Sequence, residues 1–174
     1  MQPIITDRVF IKEAANNNED RHDALRMYLQ KMDGVVLDEM VHAINEVVTP
    51  LVDCTTCGGC CRQLMINVTD KEHETVAAHL QMSSVAFKQQ YLEESLQGKL
   101  IMSTIPCHFL EASKCTIYEQ RFNECRAFPH LHEPNFKGRL FGTLVHYAMC
   151  PIIYNVIEEL QYASGFMNRP NTTA

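Results

Sequence analysis

Cys54-Thr55-Thr56-Cys57-Gly58-Gly59-Cys60-Cys61 gathers four of the chain's eight cysteines into one short segment. The spacing is that of a metal grip. Two cysteines flanking two residues sit on a tight turn that brings both sulfurs and several backbone N–H groups to one point, and a third at the same interval extends the grip. Gly58 and Gly59 have no side chains, so the backbone can pass close to a metal or take a positive φ there. Oxidised pairing is the competing reading. A disulfide between the adjacent Cys60 and Cys61 needs a strained ring, and spaced cysteines in a chain without a secretory pattern read as metal or redox sites.

Downstream, Cys107, Cys115, Cys125 and Cys150 complete the eight. Eight thiolates fill two tetrahedral zinc sites, or hold one iron–sulfur cluster with four left for a second metal or the core. The CxxCxxC start and Cys150-Pro151 have the look of a bacterial ferredoxin-type cluster loop, but there the fourth cysteine is close in sequence and here it is distant. A single remote cysteine is more often a buried small side chain than a ligand. The number of these cysteines argues for ligands.

Taken in order, the run Cys54-x2-Cys57-x2-Cys60-Cys61, then Cys107-His108-Phe109-Leu110, Lys114-Cys115-Thr116-Ile117-Tyr118, Arg121, Cys125-Arg126-Ala127-Phe128-Pro129 and Cys150-Pro151 resembles the YkgJ-type CxxCxxCC cysteine-cluster family over about residues 50–155. That resemblance implies a small bacterial zinc- or iron-chelating domain. Its members are often described as iron–sulfur oxidoreductase-like, and the domain also occurs within flagellin lysine N-methylases. It carries the ligand role onto Cys54, Cys57, Cys60, Cys61, Cys107, Cys115, Cys125 and Cys150. Phe122 departs from the family pattern, which has proline after the arginine; a stiff turn is lost but no ligand.

At 174 residues the chain is long enough for one domain with its own core and short for two. A net charge of -6 speaks against a broad nucleic-acid footprint. The start Met1-Gln2-Pro3-Ile4-Ile5-Thr6-Asp7-Arg8 lacks a basic-then-apolar leader, and no apolar run of about 18 residues occurs. The expectation is a cytoplasmic protein with no membrane span, in a compartment where thiols stay reduced.

Periodicity predicts an amphipathic helix from about Asp20 to Val48, bent at Gly34, because Leu25, Leu29, Met32, Val36, Met40, Ile44 and Val47 recur at three or four residues. Asn16–Asn18 reads as a loop before it and Thr49-Pro50 as its end. Leu64–Val68 reads as a strand, followed by a helix capped at Thr69 or Asp70 and ending near Leu80. A further helix capped at Ser83 or Ser84 is expected through Leu96, stopped by Gln97-Gly98. Leu100–Ile105 reads as a strand, and residues 107–118 as a hairpin that brings Cys107 and Cys115 together. A short helix over Glu119–Phe128, a strand over Leu140–Tyr147 and a helix from Pro151 to Leu160 finish the reading.

His108, His130, His132 and His146 lie near cysteines and are candidates to complete a mixed site, whereas His22, His42, His73 and His79 read as surface or core-edge residues. Arg121 and Arg126 flank Cys125; they read either as cationic compensation for thiolates or as solvated helix charges. Glu158-Glu159, Glu93-Glu94 and Asp38-Glu39 read as solvated helix faces. The methionines read as filler on apolar helix faces. No GxGxxG, GxxxxGK or HExxH motif is present, nor the CxxxCxxC triplet of radical S-adenosylmethionine enzymes, and nothing pairs a cysteine with a histidine as nucleophile and base.

The sequence thus predicts a small α+β domain organised around a cysteine-rich metal site: residues 1–49 a helical extension, 50–160 the cysteine-cluster domain and 161–174 a tail. Its expected function is cytoplasmic binding of zinc or iron, including iron as an iron–sulfur cluster. The alternatives are an iron–sulfur oxidoreductase, an accessory domain for protein methylation, or a zinc-stapled adaptor that docks a protein partner on its N-terminal helix. Neither nucleic acid nor membrane is an expected partner.

Overall fold

The computed structural model describes residues 2–169; of the expected tail, 170–174 lie outside the described residues. The chain combines helices with short antiparallel strands, an α+β composition, in two compact units. One runs to Val52 and resumes at Pro129; the other is Asp53–Phe128.

The helical unit contains α1 (Arg8–Asn17), α2 (Glu19–Leu29), α3 (Gly34–Val48), α8 (Phe136–Val145) and α9 (Pro151–Ala163). The single helix expected over Asp20–Val48 is two. Asp33 accepts N–H bonds from Val35 and Val36, so Gly34 becomes a first helical residue instead of a bend. The helix α1 was not foreseen; it starts where Asp7 accepts from Val9 and Phe10, and it buries Ile11. Leu37, Val41 and Val48 of α3 are buried and α3 packs on α8 and α9, whereas Val36 and Val47 of the expected apolar stripe are exposed, as is Val35.

Residues 140–147, expected to be a strand, are mostly helix α8. The buried positions Phe136, Leu140 and Thr143 follow the helical period. Its start is fixed twice. The Asp38 carboxylate of α3 accepts the N–H groups of Asn135 and Phe136, each at 2.7 Å, and the Asn135 side chain accepts from Gly138. Asp38 is therefore not a solvated charge, and a carboxylate at a helix N-terminus meets both unpaired N–H groups and the helix dipole. Pro151 does open α9, which runs three residues past the expected Leu160. Burial from Pro151 to Ile157 and at Leu160 and Gln161 makes α9 the axis of this unit. Glu158 also proves structural: its Oε1 accepts from Arg21 Nη2 at 2.8 Å, Tyr147 Oη at 2.7 Å and Gln161 Nε2 at 2.9 Å. Glu159 pairs with Arg169.

In the cysteine unit the elements are α4 (Cys54–Cys57), β1 (Ile66–Val68), α5 (Asp70–His79), α6 (Ser84–Tyr91), β2 (Glu93–Glu94), β3 (Leu100–Met102), β4 (Leu110–Glu111), β5 (Lys114–Cys115) and α7 (Asn123–Ala127). Three strands pair antiparallel in the order β1-β3-β2, with Ile66 opposite Met102 and Glu93 opposite Ile101. Glu93 and Glu94 thus leave the helix expected to reach Leu96 and form an exposed edge strand, where charge blunts further pairing. Thr69 and Glu72 cap α5 reciprocally, and Ser83 caps α6. The expected hairpin forms as β4 and β5, with Leu110 opposite Cys115. A core of Val68, Val76, Phe87, Leu100, Met102, Phe109, Ile117 and Phe122 fills the unit, with Cys107, Cys115 and Cys125 partly buried at its border. Phe122 stands where the resembled family has proline, and it contributes a buried ring 6.4 Å from that of Phe109.

Candidate metal centre

The first ligand pair is carried on α4, a single helical turn. Asp53 caps it, accepting from Thr55 N at 2.9 Å and Thr55 Oγ1 at 2.6 Å. Cys54 and Cys57, three positions apart, then lie on one side of the turn. Gly58 ends it in the left-handed region at φ 60°. Gly59, by contrast, is right-handed at φ -63°, so only the first glycine is needed for its backbone angle. Cys60 and Cys61 follow on a 3-10 turn. The Cys61 carbonyl accepts from Cys107 N at 2.8 Å, which ties this loop to the segment entering the hairpin.

Cys115 enters on β5 and Cys125 on α7. The start of α7 is held by Glu72, whose Oε1 accepts from Asn123 N at 2.6 Å while its other oxygen accepts from Thr69. Burial works against the Glu72 charge, but these hydrogen bonds outweigh it and hold the carboxyl below its ordinary value. One carboxylate thereby fixes two helix starts.

All eight cysteines are thiols rather than disulfides. Seven of them belong to the Asp53–Phe128 unit. The sulfur of Cys60 stands within electrostatic reach of those of Cys54, Cys61, Cys107, Cys115 and Cys125. Cys107 and Cys115 are likewise within reach of each other, as the hairpin predicts. Burial pushes the Cys125 thiol up to about 12, with Cys60, Cys107 and Cys115 adding to it. Cys54, Cys107 and Cys115 are raised chiefly by burial, and Cys61 first by its hydrogen bond with the Cys60 side chain. Among the described residues, no three side chains of the metal-binding types form a ready coordination shell.

Opposing groups favour the thiolate. The N–H of Phe109 is directed at Cys107 Sγ and that of Ile117 at Cys115 Sγ, each from two residues downstream. The charge of Arg121 acts on Cys54, Cys115 and Cys125. Its guanidinium lies 3.8 Å over the Tyr118 ring and donates to the Tyr118 carbonyl at 2.7 Å. The two arginines beside Cys125 therefore differ. Arg121 is a compensating cation, whereas Arg126 binds the carbonyls of Arg121 and Glu119 and braces the backbone. Soft sulfur donors with N–H groups aimed at them fit zinc or iron, both of which take thiolate ligands.

Cys150 lies in the other unit, 7% exposed, as the residue before α9. Of the candidate histidines, His108 is exposed, with its ring 5.1 Å from that of Tyr91; His132 is exposed beside Glu133. His130 and His146 belong to the helical unit, where burial and then the charge of His130 lower the His146 pKa. His73, expected at the surface or core edge, is buried against Ser84 Oγ at 2.8 Å. Sequence reasoning passed over Arg62 and Glu72. Arg62 left one signal, its place directly after the cysteine pair.

Residues 53–147 match the family model "CxxCxxCC: Putative zinc- or iron-chelating domain", a span of more than half the chain that ends just before Cys150. No curated protein and no solved structure matches the chain. Among the described residues no helix is long and apolar enough to cross a membrane.

Proposed function

The chain belongs to the CxxCxxCC family, and from that premise we propose that it is a cytoplasmic protein that binds zinc or iron, as single ions or as an iron–sulfur cluster, through cysteine thiolates. Cys54, Cys57, Cys60, Cys61, Cys107, Cys115 and Cys125 are the proposed ligands within one unit. Cys150 is the eighth, on the strength of the family resemblance. The observation that supports the reading is that thiols from four separate segments lie within electrostatic reach of Cys60, their ionisation opposed by burial and by one another. A cation there offsets both effects. When bound, zinc supplies a cross-link without redox change, and an iron–sulfur cluster supplies one-electron transfer. The N–H groups of Phe109 and Ile117 orient two sulfurs, and Arg121 offsets the negative charge of the thiolates.

Elemental analysis of protein purified without oxygen tests this. Zinc gives metal with no visible band; a cluster gives brown colour and acid-labile sulfide. Less than about half an equivalent of any transition metal, with eight titratable thiols, overturns the reading, because metal binding and folding are coupled in such domains.

A further inference from the structure

The Arg62 guanidinium spans two segments some 50 residues apart. Its Nη1 donates to the Gly58 carbonyl at 2.9 Å and to the Cys57 carbonyl at 3.4 Å. Its Nη2 donates to Ser113 Oγ at 3.1 Å and to the Ala112 carbonyl. The first two acceptors end the turn that carries Cys57, and the others form the bend between β4 and β5, just before Cys115. All four are neutral, so the interaction is one of shape. A planar fork reaches several acceptors at fixed angles, which an ammonium on a flexible stem does not.

Gly58 shows how closely the parts fit. A Cβ on it would lie 2.5 Å from Arg62 Nη1, 3.0 Å from Leu110 Cδ1 and 3.1 Å from the Ser113 carbonyl oxygen. The turn, the guanidinium and the hairpin are therefore in contact at Gly58, which has no side chain to hold them apart.

Building on the reading of the cysteines as ligands, we infer that Arg62 is a positioning residue for the metal, clamping the Cys57 turn to the Cys115 hairpin so that donors from two segments are presented together. The fork thereby lowers the conformational cost of bringing the two donors together when metal is captured. Arg121 differs, since its influence on the thiols is its charge.

The test uses full-length reduced protein: wild type, Arg62→Lys and Arg62→Met. Each is titrated with Co2+, the thiolate-to-cobalt absorption is recorded, and zinc affinity is read by displacement. Both Arg62 variants are expected to bind zinc at least about tenfold more weakly and to alter the saturated cobalt spectrum, the scale of losing an outer partner of a ligand. Wild-type affinity and spectrum in Arg62→Lys overturn the inference, because charge alone then suffices. Wild type that takes up neither ion overturns the underlying reading and this inference with it; wild type that binds while both Arg62 variants bind equally overturns the inference alone. Should either Arg62 variant fail to fold, Ser113→Ala removes a single acceptor. A smaller but measurable loss of zinc affinity is then expected, and none overturns the inference.

Discussion

Helix α9 of the helical unit is buried from Pro151 to Ile157 and again at Leu160 and Gln161, whereas α5, a main helix of the cysteine unit, buries only His73, Val76 and Ala77. The helical unit has helices of 10–15 residues whose apolar stripes close on one another. The cysteine unit has strands of two or three residues and one small core. At roughly 75 residues, a unit of this size draws only about 3–5 kcal/mol from a single core. The comparison teaches that burial is extensive in one unit and sparse in the other, so a ligand held by the thiols, as proposed above, has more stability to supply in the second.

Metal removal is the sharpest way to break that contrast. Under verified chelation, backbone amides between Cys54 and Cys125 should lose hydrogen-exchange protection while those of α9 keep theirs, since ligand binding of about 10–16 kcal/mol is also folding energy in small zinc domains. Equal loss in both units, or none in either, would show that the two are not stabilised differently. The reverse experiment is Ile153→Ala, at a fully buried position of α9. A cavity there should cost the helical unit about 2–5 kcal/mol by chemical denaturation and leave metal content unchanged.

Cys150→Ser asks whether Cys150 is a ligand. If Cys150 is a buried side chain only, the change costs about 1–3 kcal/mol with metal content intact. If it is a ligand, bound metal falls as it does in Cys57→Ser. Elemental analysis of both variants decides, and normal metal in Cys150→Ser removes it from the ligand set.

The smallest effect is a pH dependence confined to the helical unit. His22 is held below its ordinary value near 6.5, first by burial and then by Arg21, while Glu158 and Asp23 pull the other way. Protonation therefore favours the unfolded chain. Stability is full above the unfolded value and falls as pH drops through it toward the folded one. Protection of α9 amides should decrease between pH 7 and about 5.5, and His22→Gln should flatten that slope. A slope that is unchanged in the variant would assign the dependence to other groups.

Local signals were legible where they were self-contained. Thr69, one of two caps the sequence offers, caps α5 from its own first turn, Pro151 opens a helix because its missing N–H is not needed there, and the hairpin around Cys115 was readable from its flanking residues. Misreadings arose where a partner from elsewhere decided the outcome. Residues 140–147 look like a strand until Asp38 supplies the cap that starts α8; Glu93-Glu94 look helical until β3 pairs with them. Glu158 looks solvated until Arg21, Tyr147 and Gln161 surround it.

For the candidate metal centre, the sequence alone supplied the donor type, soft thiols at Cys54, Cys57, Cys60 and Cys61 with a spacing that suits a metal. It determined the family as well, through the same residues. Only the tertiary structure decided that Cys107, Cys115 and Cys125 lie within electrostatic reach of Cys60, that Arg62 bridges the Cys57 turn and the β4–β5 bend, and that Met1–Val52 and Pro129–Ala174 form one compact unit. Spacing along the chain governs which atoms one turn can bring together. Contacts between distant segments follow from which apolar surfaces and backbone groups satisfy one another, and no local stretch contains that information.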